Sequence, residues 1–189
     1  VIVATGTTPR RDGFQLSTPA TPISGADLPH VYTSWDVFGF GGRAEINGDC
    51  FIYDDTGTFE AISVADALVD AGAKVTMVSR YDSMGAKIAF PAATVEASKE
   101  RLMSGNFDFI GGHYIQGITP DEVLIGVPFT ERRRTIPAGT VVLVTYNHPN
   151  REIAEYAPAG VNVHLIGDVT GTNSIMAAIH QAAATARAI

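Results

Sequence analysis

One cysteine in 189 residues excludes a disulfide framework and a cysteine-built metal centre within the chain. Cys50 stands just before an apolar run and reads as a small buried side chain in a reducing, cytoplasmic setting. Charge is sparse as well. Only 17% of residues are Asp, Glu, Lys or Arg, and their balance is -7, which argues against a non-specific nucleic-acid binder. No apolar run approaches the ~20 residues that a membrane-spanning helix needs, and no basic stretch leading into an apolar core is visible at the N-terminus. His30, His113, His148, His164 and His180 are scattered without metal-ligand spacing. Ser63, Ser79 and Ser174 lack a nucleophile-elbow context. The only dense basic cluster, Glu131-Arg132-Arg133-Arg134, alternates like a surface strand and reads as a solvated face.

What is present is a core. Hydrophobic residues make up 46% of the chain, enough to fold as one domain or two small ones. Val1 to Ala4 reads as a buried strand ended by Gly6. Chains seldom open inside a core strand, so a preceding part of a larger protein is expected. Thr7 to Pro29 reads as loop, and Val31 to Phe40 as a short helix punctuated by Gly39, Gly41 and Gly42. Phe51 to Tyr53 predicts a strand, Thr58 to Ala71 a helix, and Lys74 to Ser79 a second strand, which together form a βαβ unit with parallel strands. Pro91 suits the first turn of a helix running to about Met103. The runs 107–110, 113–118, 122–127 and 129–136 predict an antiparallel meander. Thr140 to Thr145 fits a strand buried on both faces, and 162–166 is a further strand. A last helix starts near Asn173 with Ile175, Ile179, Ala182 and Ala186 on one stripe.

Two turns carry chemistry. In Thr56-Gly57-Thr58-Phe59-Glu60-Ala61 the strand-to-helix geometry suits a pyrophosphate, because free N–H groups and the helix dipole gather there. Yet threonine stands at two of the three glycine positions, and Asp54 and Asp55 end the strand. A carboxylate ~4–6 Å from a phosphate costs ~1 kcal/mol or more at intermediate dielectric. Arg80, at the end of the next strand, could meet a 2′-phosphate and would favour NADP over NAD; a plain surface arginine is the bland reading. The second turn is Leu165-Ile166-Gly167-Asp168, where an apolar strand runs into Gly-Asp and then a helix, a natural ligand mouth.

The stretches Val1-Ile2-Val3-Ala4-Thr5-Gly6, Phe51 to Arg80, Thr140 to Asn150 and Leu165 to Asp168 stand in the order seen in two-dinucleotide-domain flavoproteins. YDDTGTFEAISVADAL followed by VTMVSR resembles the C-terminal region of the trimethylamine dehydrogenase and 2,4-dienoyl-CoA reductase group. The resemblance implies an α/β fold, in which a Rossmann-like NAD(P)-type domain (parallel sheet plus antiparallel meander) is inserted in a partial FAD-binding domain. Its implied bounds are 1–46 for the end of the N-terminal FAD-type half, 47–139 for the NAD(P)-like domain and 140–189 for the C-terminal FAD-type half. It implies FAD or an ADP-type nucleotide near Thr5, Gly6, Gly167, Asp168 and Ser174 in an intact parent. It makes Thr56, Gly57, Thr58 and Arg80 the counterpart of an NAD(P)H site, here disfavoured by the two acids. FMN and an iron–sulfur cluster are expected only on an N-terminal barrel, which would be the main partner; a homodimer and a protein electron acceptor are further partners it leaves open. Tyr146 replaces the glycine usual after Thr145. The expected role is nucleotide-binding and electron-transfer support without catalysis by this chain alone. A competent NAD(P)H-binding domain and a ligand-free scaffold are the alternatives.

Overall fold

The computed structural model describes residues 1–40, 42–88, 92–172 and 174–189; Gly41, Pro91 and Asn173, named above, lie outside them. The chain divides into two compact units, one made of Val1–Pro9 with Asn147–Ile189 and the other of Arg10–Tyr146, so the second is inserted in the first.

In the inserted unit, β3 (Val31–Thr33), β10 (Thr140–Val144), β4 (Cys50–Asp54), β5 (Val75–Ser79) and β6 (Phe107–Ile110) form a parallel sheet in that order. Every residue of β4 and β10 is buried, as the continuous apolar runs require of strands covered on both faces. Alternation then sorts the two faces. Ile52, Met77, Val142 and Val144 pack with Ile62, Leu68, Val95 and Leu102 from α2 (Phe59–Asp70) and α3 (Ala92–Met103). Phe51, Tyr53, Val78, Val141 and Leu143 pack against Ile115, Ile118, Val123, Ile125 and Ile136. These last come from an antiparallel layer of β7 (Tyr114–Ile118), β8 (Glu122–Gly126) and β9 (Arg133–Pro137). The unit is therefore a three-layer sandwich of helices, parallel sheet and meander. Each buried Ile, Leu or Phe in it contributes roughly 1.5–3 kcal/mol.

The βαβ unit stands as the periodicity predicts. Several expectations change. Of the buried strand expected over Val1 to Ala4 only Ile2–Val3 pairs and only Val3 is buried, and Thr7–Thr8 in the expected loop becomes a strand because it pairs with His148–Pro149. Phe107–Ile110 was expected in the meander but pairs parallel with β5, since α3 before it makes a second crossover. The helix expected over 31–40 is α1 (Ser34–Phe38) alone, because Val31–Thr33 is drawn into the sheet beside β10. The strand expected from Phe129 begins at Arg133, because Val127 to Arg132 turn.

In the other unit β1 (Ile2–Val3) pairs parallel with β12 (His164–Leu165), and β2 (Thr7–Thr8) pairs antiparallel with β11 (His148–Pro149). A short 3-10 turn over Gly167–Thr170 leads to α4 (Ile175–Ala188), which has no buried residue. Among the described residues no helix is long and apolar enough to cross a membrane.

Candidate functional site

Strand order reverses between β10 and β4, so the carboxyl ends of these two strands mark the ligand crevice of an open α/β sheet. Asp54 stands there, in register with Val144 on one side and Ser79 on the other. Its side chain does not face a mouth. It turns into the loop, where Oδ1 accepts from Gly57 N at 2.7 Å, Thr56 N at 3.1 Å and Thr56 Oγ1 at 3.1 Å. Ser79 Oγ lies 3.1 Å from Oδ2 and 3.0 Å from the Asp54 carbonyl, within donating distance of both. The main-chain donors that would meet a phosphate oxygen are thus taken by a carboxylate of the chain itself. Burial raises the Asp54 pKa, and the hydrogen bonds from Gly57, Ser79 and Thr56 oppose that rise.

A second layer covers the turn. Gly57 has φ +67°, and a Cβ on it would lie 2.8 Å from Tyr81 Cε2 and 3.2 Å from Lys87 Cγ. The Tyr81 ring therefore packs on the glycine face where a pyrophosphate would approach, and Lys87 N donates to Gly57 O at 2.9 Å. Burial and a hydrogen bond with Tyr146, the residue after β10 and Thr145, push the Tyr81 phenol up to about 12. Thr56 and Thr58 turn their hydroxyls on each other at 2.9 Å.

Asp55 leaves the strand on the opposite side, as alternation requires. It accepts from Leu16 N at 2.9 Å and pairs with Arg80 Nε at 3.1 Å, and Arg80 Nε also donates to the Asp55 carbonyl at 2.8 Å. Arg80 lies 4.3 Å over the Tyr81 ring and bonds its hydroxyl. The arginine read as a 2′-phosphate ligand is held within the chain by these groups. At this turn Thr56 N and Gly57 N are engaged by Asp54, and Arg80 by Asp55 and Tyr81.

Burial lifts Asp55 to about 6, against opposing contributions from Leu16 N–H and Arg80; the Asp54 charge adds to the rise. An acid raised in the folded state stabilises the fold below its unfolded pKa of 3.8 and loses that contribution as pH climbs through about 6. Asp55→Asn is therefore expected to gain on the parent by about 2–3 kcal/mol between pH 4 and pH 7, read from urea unfolding at the two pH values. An unchanged difference would refute the buried-acid assignment.

The other candidate turn belongs to the split unit. A cavity of about 460 Å³ is lined by Ala4, Gly6, Gly167, Asp168, Ser174 and the α4 residues Ile175, Ala178, Ile179 and Ala182. Gly6 presents bare main chain there, with nothing within 4 Å of a Cβ position, and at Gly167 the nearest atom is Ala178 Cβ at 3.7 Å. Thr5 donates from Oγ1 to Asn150 O, Asn150 Nδ2 donates to Thr5 O at 3.1 Å, and Asn150 N donates to Gly6 O at 3.0 Å. Gly167 N donates to Gln181 Oε1 at 2.7 Å, so that amide is used within the unit. Asp168 makes no side-chain hydrogen bond among the described residues, and Ser174 caps α4 by accepting from Ala177 N. The cavity thus brings together two glycine main chains, a carboxylate that makes no side-chain hydrogen bond among the described residues, and an apolar helix wall. Among the described residues no group of three or more His, Cys, Asp or Glu could hold a metal ion.

Sequence reading brought Thr56, Gly57 and Thr58 together, and Gly6, Gly167, Asp168 and Ser174 together, as the structure has them. Thr5 is joined to the second group through Asn150 and Gly6. It missed Tyr81, Lys87 and Gln181, and it named Tyr146 and Asn150 without the bonds they make at these turns. The inward Asp54 had a local signal, since an Asp followed two residues later by Thr-Gly can accept the i+2 and i+3 main-chain N–H groups as an Asx turn does.

The chain is similar in structure to 6-hydroxypseudooxynicotine amine oxidase from Pseudomonas geniculata N1, with TM-score 0.82 and 30% identity over 96% of this chain and 27% of that one. Histamine dehydrogenase from Rhizobium sp. 4-9 gives TM-score 0.81 and 23% identity over 99% of this chain and 30% of that one. A 2-naphthoyl-CoA reductase gives TM-score 0.76 and 20% identity, with 95% and 25% covered. The chain thus spans between a quarter and a third of the length of these proteins. No family model and no curated protein sequence matches it.

Proposed function

Since the chain is the FAD/NAD(P)-type region of the trimethylamine dehydrogenase and 2,4-dienoyl-CoA reductase group of flavoprotein oxidoreductases, we propose that it serves a larger flavin-dependent oxidoreductase as nucleotide-binding and electron-transfer support. In this reading it binds no pyridine nucleotide and does not catalyse by itself. The observation that carries it is the Asp54 carboxylate bonded to Thr56 N and Gly57 N, with the Tyr81 ring packed on Gly57.

An FAD or ADP-type nucleotide in the intact parent would be held beside Gly6, Gly167 and Asp168; FAD, when bound, would supply the two-electron chemistry. The chain's own residues position. Gly6 and Gly167 allow close main-chain approach, Asp168 offers an acceptor to a sugar hydroxyl, and Ile175 and Ile179 give an apolar wall. The exposed apolar side chains of Ile2 and Met176 support a covering partner, which in this reading is an N-terminal barrel region carrying FMN and an iron–sulfur cluster. A protein electron acceptor and a cytoplasmic setting belong to the same reading.

Calorimetric titration with NADPH and NADH is the test. The expected result is no saturable heat up to millimolar concentration. Micromolar affinity for either would overturn this reading in favour of a competent NAD(P)H domain.

A further inference from the structure

The basic run outside the nucleotide reading, Glu131 to Arg134, spans the end of the connection from β8 to β9 and the first two residues of β9. Thr130 closes the turn on Val127 O, with N donating at 3.3 Å and Oγ1 at 3.0 Å. Pro128 takes the second turn position, which its fixed φ suits. Phe129 takes the third with φ 63°, in the left-handed region where glycine or asparagine is the ordinary occupant. Its ring is fully in solvent, at 107% relative exposure. The fold therefore carries a strained aromatic that packs on nothing. Arg132 and Arg133 follow, both exposed, and Arg133 meets Glu131 only at 3.4 Å. Arginines on an edge strand discourage strand pairing with other chains, which accounts for them but not for the aromatic.

We propose that this hairpin tip docks an acidic polypeptide segment of a partner protein. Phe129 enters an apolar socket, and Arg132 and Arg133 pair with carboxylates beside it. Charge selects this class of partner. The chain carries -7 overall, so an extended polyanion such as DNA or an anionic bilayer would meet the acidic body as well as the tip. A short acidic segment meets the tip alone, within a Debye length of about 8–10 Å.

The probe is a fluorescein-labelled synthetic peptide of glutamates flanking a central leucine, followed by anisotropy at low salt. The parent is expected to bind it, and affinity should fall roughly tenfold or more in Arg132→Glu/Arg133→Glu and several-fold in Phe129→Gly. Phe129→Gly should also melt a few degrees higher than the parent, because the left-handed position is relieved. Absence of peptide binding, equal binding by the variants, or a lower melting point for Phe129→Gly would overturn the proposal. So would hairpin-dependent binding to a single-stranded oligonucleotide or to phosphatidylserine vesicles in preference to the peptide.

Discussion

Asp54→Ala is expected to lower the unfolding free energy by about 3 kcal/mol or more, and Asp54→Asn by less than about 1.5 kcal/mol. Alanine removes the acceptor of Thr56 N, Thr56 Oγ1 and Gly57 N in a position sealed from water. Two buried N–H groups are then left without partners, each worth roughly 1–3 kcal/mol. Relief of a buried charge returns part of that loss, since burial raises the Asp54 pKa. Asparagine keeps the Oδ1 acceptor, and its amide can donate to Ser79 Oγ, whose proton then stays on the Asp54 carbonyl. Urea unfolding followed by the single tryptophan, Trp35, distinguishes the pair. If alanine behaves like asparagine, the carboxylate is not what holds the turn.

Gly111→Ala is expected to cost about 2–4 kcal/mol. A Cβ there would lie 2.8 Å from the carbonyl oxygens of Tyr81 and Asp82 and 2.9 Å from Asp82 Cα. All three atoms are main chain, so a rotamer change cannot make room. The strand end and the 79–82 loop are stitched together by Gly112 N to Tyr81 O and His113 N to Ser79 O, both at 3.0 Å. Displacing the loop would break those bonds and lift the Tyr81 ring from Gly57. The measurement is again denaturant unfolding, with serine at the same position as a second reading. A loss under about 0.5 kcal/mol for both would mean that this loop yields freely, and that Tyr81 is not a fixed cover.

The layers of the fold were legible where burial leaves a local pattern. Phe51, Ile52 and Tyr53 are apolar in succession because both faces of β4 are covered, and Ala61, Ala65 and Leu68 recur at helical spacing because one face of α2 is. β3 was hidden because Val31 to Thr33 becomes a strand only beside Val141 to Leu143, more than a hundred residues later. At the turn, the residue types Thr56, Gly57 and Thr58 announced a strand-to-helix junction. Two adjacent acids looked like repulsion at an open mouth. That the two carboxylates leave on opposite faces follows from alternation along a strand, but what each one meets depends on Leu16, Ser79 and Arg80, which adjacency in the sequence does not disclose.

The insertion of one unit within the other constrains the order of assembly. Thr5 and Asn150 bond across 145 positions of chain. Joining ends so far apart in a disordered polymer forfeits roughly 4–5 kcal/mol of loop entropy. If the sandwich over Arg10–Tyr146 condenses first, it carries its two ends together and removes about half of that cost. During synthesis Ile2–Val3 cannot meet His164–Leu165 until that later strand has left the ribosome.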